Sequence, residues 1–297
     1  GPYDCISSGP TLAKNVLTVG SVNEQPNGWV AADSVTSSWF SSWGPTDDGR
    51  LKPEIVGMGE FVYNAGSESD TDYTFKSGTS MATPNVAGSL VLLQEHTQNL
   101  TGGYLQAPTL KALVMHTAGD AAAPGPDYQT GYGLLNTRDA AEVLNYAFDG
   151  REQDSVLVRE DTLLTGRTDT LRFYTDGQQP FRATICWHDR AGTPPPALTL
   201  DPTDLKLVHD LDLLLISDAG PTYQPYVLDP ANPAAAATRG DNIRDNHEQV
   251  FVEAPAAGYY NLLIRHKDEL EGGSQEYSIV YTGATAPPQQ ACGVPSL

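Results

Sequence analysis

The sequence predicts two kinds of structure in one chain: an α/β segment over residues 1–150, then an all-β sandwich or jelly roll over 151–285, with an extended tail at 286–297. Three observations carry this. The run "NVLTVGSV" (Asn15–Val22) is short, β-branched and closed by polar and Gly residues, as a buried strand is, and helix-period stretches follow it. Beyond about Gly150, strand-like runs succeed one another with Pro, Gly and Asp turns and no convincing helix between them. Hydrophobic residues make up 39% and charged residues 18% of the 297, the balance of a globular chain.

Taken in order, Trp39–Glu60 reads as loop-rich, with Gly44-Pro45 and Asp48-Gly49 as turn signals. Ser80 to about His96 reads as a helix, with Ala87, Leu90 and Val91 at helical spacing and Pro84 expected in the first turn, where its missing N–H costs nothing. Thr109–Ala118 is a second predicted helix, and Gly131–Ala147 a Gly-rich turn leading into a third. The boundary falls near Asp149–Asp161. The predicted strands beyond it are Leu171–Thr175, Phe181–Trp187, Leu211–Ile216, Gln249–Ala254, Tyr259–His266 and Glu276–Gly283. Trp29, Trp39, Trp43 and Tyr63 lie ahead of Ser80; core packing is the expected role, a groove border the other.

Charge narrows the function. With 17 Lys+Arg against 37 Asp+Glu the formal charge is −20, which argues against a nucleic-acid partner, since that affinity comes from cationic contacts to phosphate. It suits a secreted, hydrated or cation-binding protein. No apolar run has membrane-spanning length. "GPYDCISSGP" carries neither the basic nor the apolar region of a signal peptide. Of the three cysteines, Cys186 lies in an apolar run and reads as a buried thiol, while Cys5 and Cys292 are open to pairing with each other or with a cysteine elsewhere.

The chemistry concentrates in "FKSGTSMATPNVAG" (Phe75–Gly88). A Ser80 nucleophile at a helix N-terminus would have free N–H groups and the helix dipole to favour developing negative charge. Its own N–H would help hold a tetrahedral oxyanion. Gly78 lets backbone and substrate approach, Thr79 offers a hydroxyl beside it, and the small Ala82 and Ala87 permit tight packing beneath. An ordinary polar helix start over a core helix is the plain alternative. The full string "GTSMATPNVAG" closely resembles the serine motif of the subtilisin-like proteases, the subtilases. It is not the Gly-x-Ser-x-Gly elbow, because Ala82 stands where that motif needs Gly.

"AKNVLTVGSV", "FSSWGPTDDGRLKPEIVGMG" and "TLKALVMHTA…GYGLLN" are similar to further subtilase segments. Beyond Gly150, with "WHD" (Trp187–Asp189) and "VHDLDLLL" (Val208–Leu215), the chain resembles the C-terminal β-barrel domain of large alkaline-type subtilases. Asn85 stands where many members carry His, and Met58-Gly59 replaces the usual Pro-Gly. The resemblance implies the C-terminal part of a doubly wound parallel-sheet domain followed by the β-domain, in a secreted serine endopeptidase acting on protein or peptide substrate.

It also implies partners. The family's Asp motif and its His-Gly-Thr motif do not occur; none of the six histidines is followed by Gly-Thr, and the opening residues resemble those just after the oxyanion Asn. His, Asp and Asn are therefore expected from outside these residues. Three readings stay open: one piece of a cleaved protease still bound to its N-terminal piece, which burial favours; an upstream segment of the same polypeptide; or a non-catalytic relic. The rival function is a pseudoprotease or scaffold whose β-domain contacts a surface or partner.

Hard oxygen donors gather in the β-domain: Asp189 in "WHD", Asp210 and Asp212 in "HDLDLLL", and Asp241, Asn242, Asp245 and Asn246 in "RGDNIRDNHE". Such donors in loops suit structural calcium, and relatives with this β-domain commonly bind it. A solvated acidic rim is the alternative.

Overall fold

The computed structural model describes residues 2–6, 9–149 and 155–288. Cys292 and the tail from 289 lie outside them, as does the expected junction at 150–154.

The α/β segment is built on a parallel strand pair, β1 (Val19–Val22) and β2 (Ile55–Met58), in the register Val19↔Ile55 to Val22↔Met58. An antiparallel hairpin follows, β3 (Val62–Ala65) with β4 (Tyr73–Lys76); the loop-rich reading of this stretch ends before it, and sequence pattern does not announce it. Helices α1 (Thr79–Thr101), α2 (Ala107–Thr117) and α3 (Thr137–Phe148) complete this segment. Gly102, in a left-handed conformation with its N–H bonded to Gln98 O at 2.8 Å, ends α1. The Asn136 side chain caps α3 by accepting from Asp139 N.

The β-domain is antiparallel throughout. Among the described residues its strands are β5 (Val156–Leu164), β6 (Asp169–Thr175), β7 (Phe181–Cys186), β8 (Leu211–Ser217), β9 (Thr222–Tyr223), β10 (Tyr226–Val227), β11 (Thr238–Arg239), β12 (His247–Val252), β13 (Gly258–His266) and β14 (Ser274–Thr282). One sheet runs β12-β7-β14-β5 and the other β6-β13-β8-β9, so successive long strands pass repeatedly from one sheet to the other. Their facing side chains form a single core in which Phe173 and Phe181 stack at 4.3 Å, with Trp187 and Tyr260 beside them. Strand β5 begins inside the boundary region assigned from sequence: the charged run Arg159, Glu160 and Asp161 at its centre interrupts the apolar alternation.

Helix α2 joins the α/β segment to the β-domain. It is apolar nearly all round, and all but two of its residues are buried, the signature of a helix enclosed on several sides. It lies on the outer face of the first sheet: the Thr109 and Ser278 hydroxyls are 2.8 Å apart, and His116 bridges Thr184 and Thr282 at 3.0 Å each. Val158, Cys186 and Val280 of that sheet share a core with Ala112, Leu113 and Val114 of α2. Cys186 is the inert buried thiol expected, and burial pushes it up to about 11.

Candidate active site

The mouth of α1 is held by a backbone clasp. Gly78 precedes the helix and donates its N–H to Gly59 O at 2.8 Å, just past the end of β2. Gly59 has to be glycine: a Cβ there would lie 2.3 Å from Ser21 Oγ and 2.7 Å from Gly78 O. Gly57, two residues earlier, acts in the same way, its missing Cβ leaving room for Val86 and Ala82 of α1. The "VGMG" run therefore sets how closely the helix mouth approaches the parallel strands.

Thr79 and Ser80 are the first and second residues of α1. With glycine as the cap, no side chain caps the helix; Met81 N and Ala82 N bond Gly78 O at 2.9 and 3.3 Å, which leaves the amides of Thr79 and Ser80 facing the helix mouth. Ser80 is exposed. Pro84 corrects the sequence reading: because the helix begins at Thr79, it is the sixth residue and lies beyond the first turn. The hydrogen bond it cannot donate is the one to the Ser80 carbonyl, so that carbonyl is left out of the helix ladder. Thr79 borders a cavity of about 250 Å³, together with Cys5, Ile6, Gly20, Ser41 and Pro53.

Among the described residues no histidine hydrogen-bonds to Ser80. His96 lies four turns along α1 with its Nε2 2.9 Å from Asn145 Oδ1. His116 and His247 are fully buried, and burial drives both well below the usual imidazole range, with Arg182 adding to this for His116 and Lys111 for His247. His247 Nδ1 lies 3.2 Å from the Tyr132 hydroxyl. His209 bonds Gln275 and His266 bonds Asp268 O.

Behind the strands lies a charge centre that the sequence reading missed. Glu54, fully buried, accepts from Lys52 and, at 2.6 Å, from Lys111 of α2; its second oxygen accepts from Thr18 N at 2.7 Å. Burial alone would raise Glu54, but the two ammonium groups outweigh it and hold the carboxyl below its ordinary value. Lys52 is pushed down by burial to about 8. The Lys-Pro-Glu spacing was legible; the partner on α2, 57 residues away, was not.

The seven calcium candidates do not form one set; Asp245 accepts from Leu51 N and from Asn242. Asp189 accepts from Val208 N and His209 N at 2.8 Å each and from Lys14, clamping the chain ahead of β1 to the β-domain. Asn246 donates to Trp187 O and Asn15, and Asn242 accepts from Arg244 N and Asp245 N. Only Asp210, Asp212 and Asp241 converge, and they converge on the Lys267 ammonium, 2.7 Å from Asp210 and 3.1 Å from Asp212. Calcium requires about six to eight oxygens; here an ammonium holds the centre, so the donors present do not fit that ion. Among the described residues no group of three His, Cys, Asp or Glu side chains is placed to hold a metal.

The aromatic residues ahead of the serine also depart from expectation. Trp29, Trp39 and Tyr63 are 41, 83 and 61% exposed rather than core. Trp29 covers Gly119, its Nε1 donating to Asp120 O, and Trp39 meets Phe40 edge-on. Trp43 is half-buried against Tyr3.

Ser80 is thus an exposed serine on the first turn of a helix that seats against parallel strands. Residues 6–133 match the family model described as the subtilase family. Over those residues, fewer than half of the chain, it is similar to the subtilases. Similar proteins include the serine protease/ABC transporter B family protein tagA of Dictyostelium discoideum, 24% identical over 237 residues, covering 71% of this chain and 13% of that protein. C5a peptidase of Streptococcus pyogenes is 38% identical over 87 residues, 29% of this chain and 7% of its own length. Serine protease AprX of Bacillus subtilis is 32% identical over 113 residues, 34% of this chain and 25% of its own. The chain thus spans a quarter or less of each of these relatives. Among the described residues no helix is long and apolar enough to cross a membrane.

Proposed function

We propose that the chain is the nucleophile-bearing portion of a secreted subtilisin-like endopeptidase. Ser80 Oγ attacks the scissile carbonyl carbon, the C–N bond breaks, and an acyl-enzyme on Ser80 is later hydrolysed by water. A histidine outside these residues takes the serine proton and passes it to the leaving amine, an outside Asp orients that histidine, and an outside Asn joins the Ser80 N–H and Thr79 at the oxyanion. The observation that carries the reading is the exposed Ser80 hydroxyl on an uncapped first turn, in a segment matched by the subtilase family model. That His96, His116, His209, His247 and His266 each hydrogen-bond to other residues supports an outside base. The strand orders β12-β7-β14-β5 and β6-β13-β8-β9 support a jelly-roll reading of the β-domain.

The test is labelling by a fluorophosphonate of the native protein, with whatever polypeptide purifies with it. Labelling that maps to Ser80 and disappears in Ser80→Ala is the expected result. An unlabelled native protein would favour the scaffold reading instead.

A further inference from the structure

The hairpin in front of Ser80 turns its aromatic side to solvent. Tyr63 is paired with Phe75 and Ala65 with Tyr73, so alternation puts these four on one face and Val62, Asn64, Thr74 and Lys76 on the other. The rings meet one another, Tyr63 to Tyr73 at 5.5 Å and Tyr63 to Phe75 at 5.1 Å. Yet Tyr63, Tyr73 and Phe75 remain 61, 57 and 64% exposed, while Val62, Asn64 and Thr74 opposite are half-buried. A strand pair that only completes a fold buries its apolar face and leaves the polar one wet. Here the order is reversed.

The position of this face points to its occupant. The root of the hairpin is pinned to the helix mouth, with Phe61 N donating to Ser77 Oγ at 2.9 Å and Gly78 N to Gly59 O at 2.8 Å. Phe75 stands five residues before Ser80, within about 17 Å of extended chain. At the other end the turn exposes Glu68 and Asp70. Aromatic faces attract cations at short range and carboxylates attract them at longer range. A ligand that suits both, and lies across the helix mouth, is an extended peptide carrying Lys or Arg.

We propose that the hairpin β3–β4 is a docking ledge for a Lys- or Arg-bearing stretch of the peptide whose scissile bond lies at Ser80. The ledge rests on the peptidase reading, but its test separates the two. The native protein is assayed on peptides that differ only in a Lys-Arg, Ala-Ala or Glu-Glu pair, placed on either side of the cleaved segment. The basic peptide should be cleaved with a kcat/KM roughly tenfold above its acidic counterpart. That ratio should collapse to about twofold in Tyr63→Ser/Phe75→Ser and in Glu68→Gln/Asp70→Asn, and shrink at high salt. The control Tyr146→Ser, an exposed tyrosine on α3, should leave the ratio unchanged. A ratio near one, or one that the hairpin variants do not alter, overturns the proposal. So does a dimer of this chain that dissociates in Tyr63→Ser/Phe75→Ser, since the occupant is then a second copy. A fluorescent basic peptide titrated against Ser80→Ala, with and without the hairpin substitutions, reads the ledge without turnover. If the native protein takes no fluorophosphonate while the peptide still binds through the hairpin, the peptidase reading fails and the ledge stands.

Discussion

The α/β segment and the β-domain each bury a glutamate, and the two are treated in opposite ways. Glu54, behind the parallel strands, meets two ammonium groups and a backbone amide, so it stays ionised. Glu248, on β12, has one oxygen on Leu213 N at 2.6 Å and the other buried with no hydrogen-bond partner. Burial pushes it well above the usual carboxylate range against the pull of the Leu213 amide, and Asp212 and Asp210 push the same way. The geometry explains the contrast. Glu54 joins a loop to α2 and needs a charge that can hold two lysines. Glu248 sits on an edge strand and reaches across to β8, where the pairing with β9 is limited to Leu215 and Ile216 and does not extend to Leu213. The carboxyl there meets a single backbone amide and, among the described residues, no hydrogen-bonded cation, so burial is not offset as it is at Glu54.

The comparison breaks first at Glu54. Replacing it with Ala strands two buried ammonium groups, and about 3–5 kcal/mol of stability should be lost in urea unfolding. The triple change Lys52→Met/Glu54→Leu/Lys111→Met should recover most of that loss, because apolar replacements of the whole set leave no unpaired charge. If the single and triple variants were equally destabilised, the glutamate would be acting through packing.

A smaller effect sharpens the comparison through pH. The lowered Glu54 contributes stability that is present above the ordinary carboxylate range and is lost as pH falls through its folded value. The raised Glu248 contributes in the opposite sense, fully below its ordinary value and progressively less as pH rises toward its folded one. Glu248→Gln keeps an acceptor for Leu213 N and gives the orphaned position a donor. It should therefore gain on the wild type as pH is raised from about 4 to 8 in parallel unfolding series. Curves that stay parallel would show that Glu248 ionises as an ordinary carboxylate.

The smallest effect is expected from metal removal. Lys267 already neutralises Asp210, Asp212 and Asp241, and burial, opposed by the Lys267 hydrogen bond, raises Asp210 to about 6. EDTA should then shift Tm by no more than about a degree, near the effect of a surface change. A calcium-dependent rise of several degrees would restore the calcium expectation at donors other than this trio.

Much of the outline was legible beforehand. Helices α1 to α3 and the long strands β6, β7, β8, β12, β13 and β14 fall where their periodicity put them, because alternation and helical spacing are local properties. The hairpin β3–β4 escaped because its outward residues are the aromatic ones, the reverse of the usual pattern. The Gly-Thr-Ser motif marked the proposed nucleophile, but the start of α1, and with it the freed Ser80 carbonyl, needed the Gly59–Gly78 clasp.

The sequence by itself carried the Gly-Thr-Ser-Met-Ala string at a helix start, its similarity to the subtilases and the strand alternation beyond Gly150, since each rests on neighbours along the chain. Only the tertiary structure decided which charge meets which. Lys111 reaches Glu54 across 57 residues and Lys14 reaches Asp189 across 175. Spacing in sequence carries no distance at that range. The same acidic residues that read as a calcium cage are, once folded, the counter-charges of lysines, because a buried carboxylate is stabilised by whichever cation the fold brings to it.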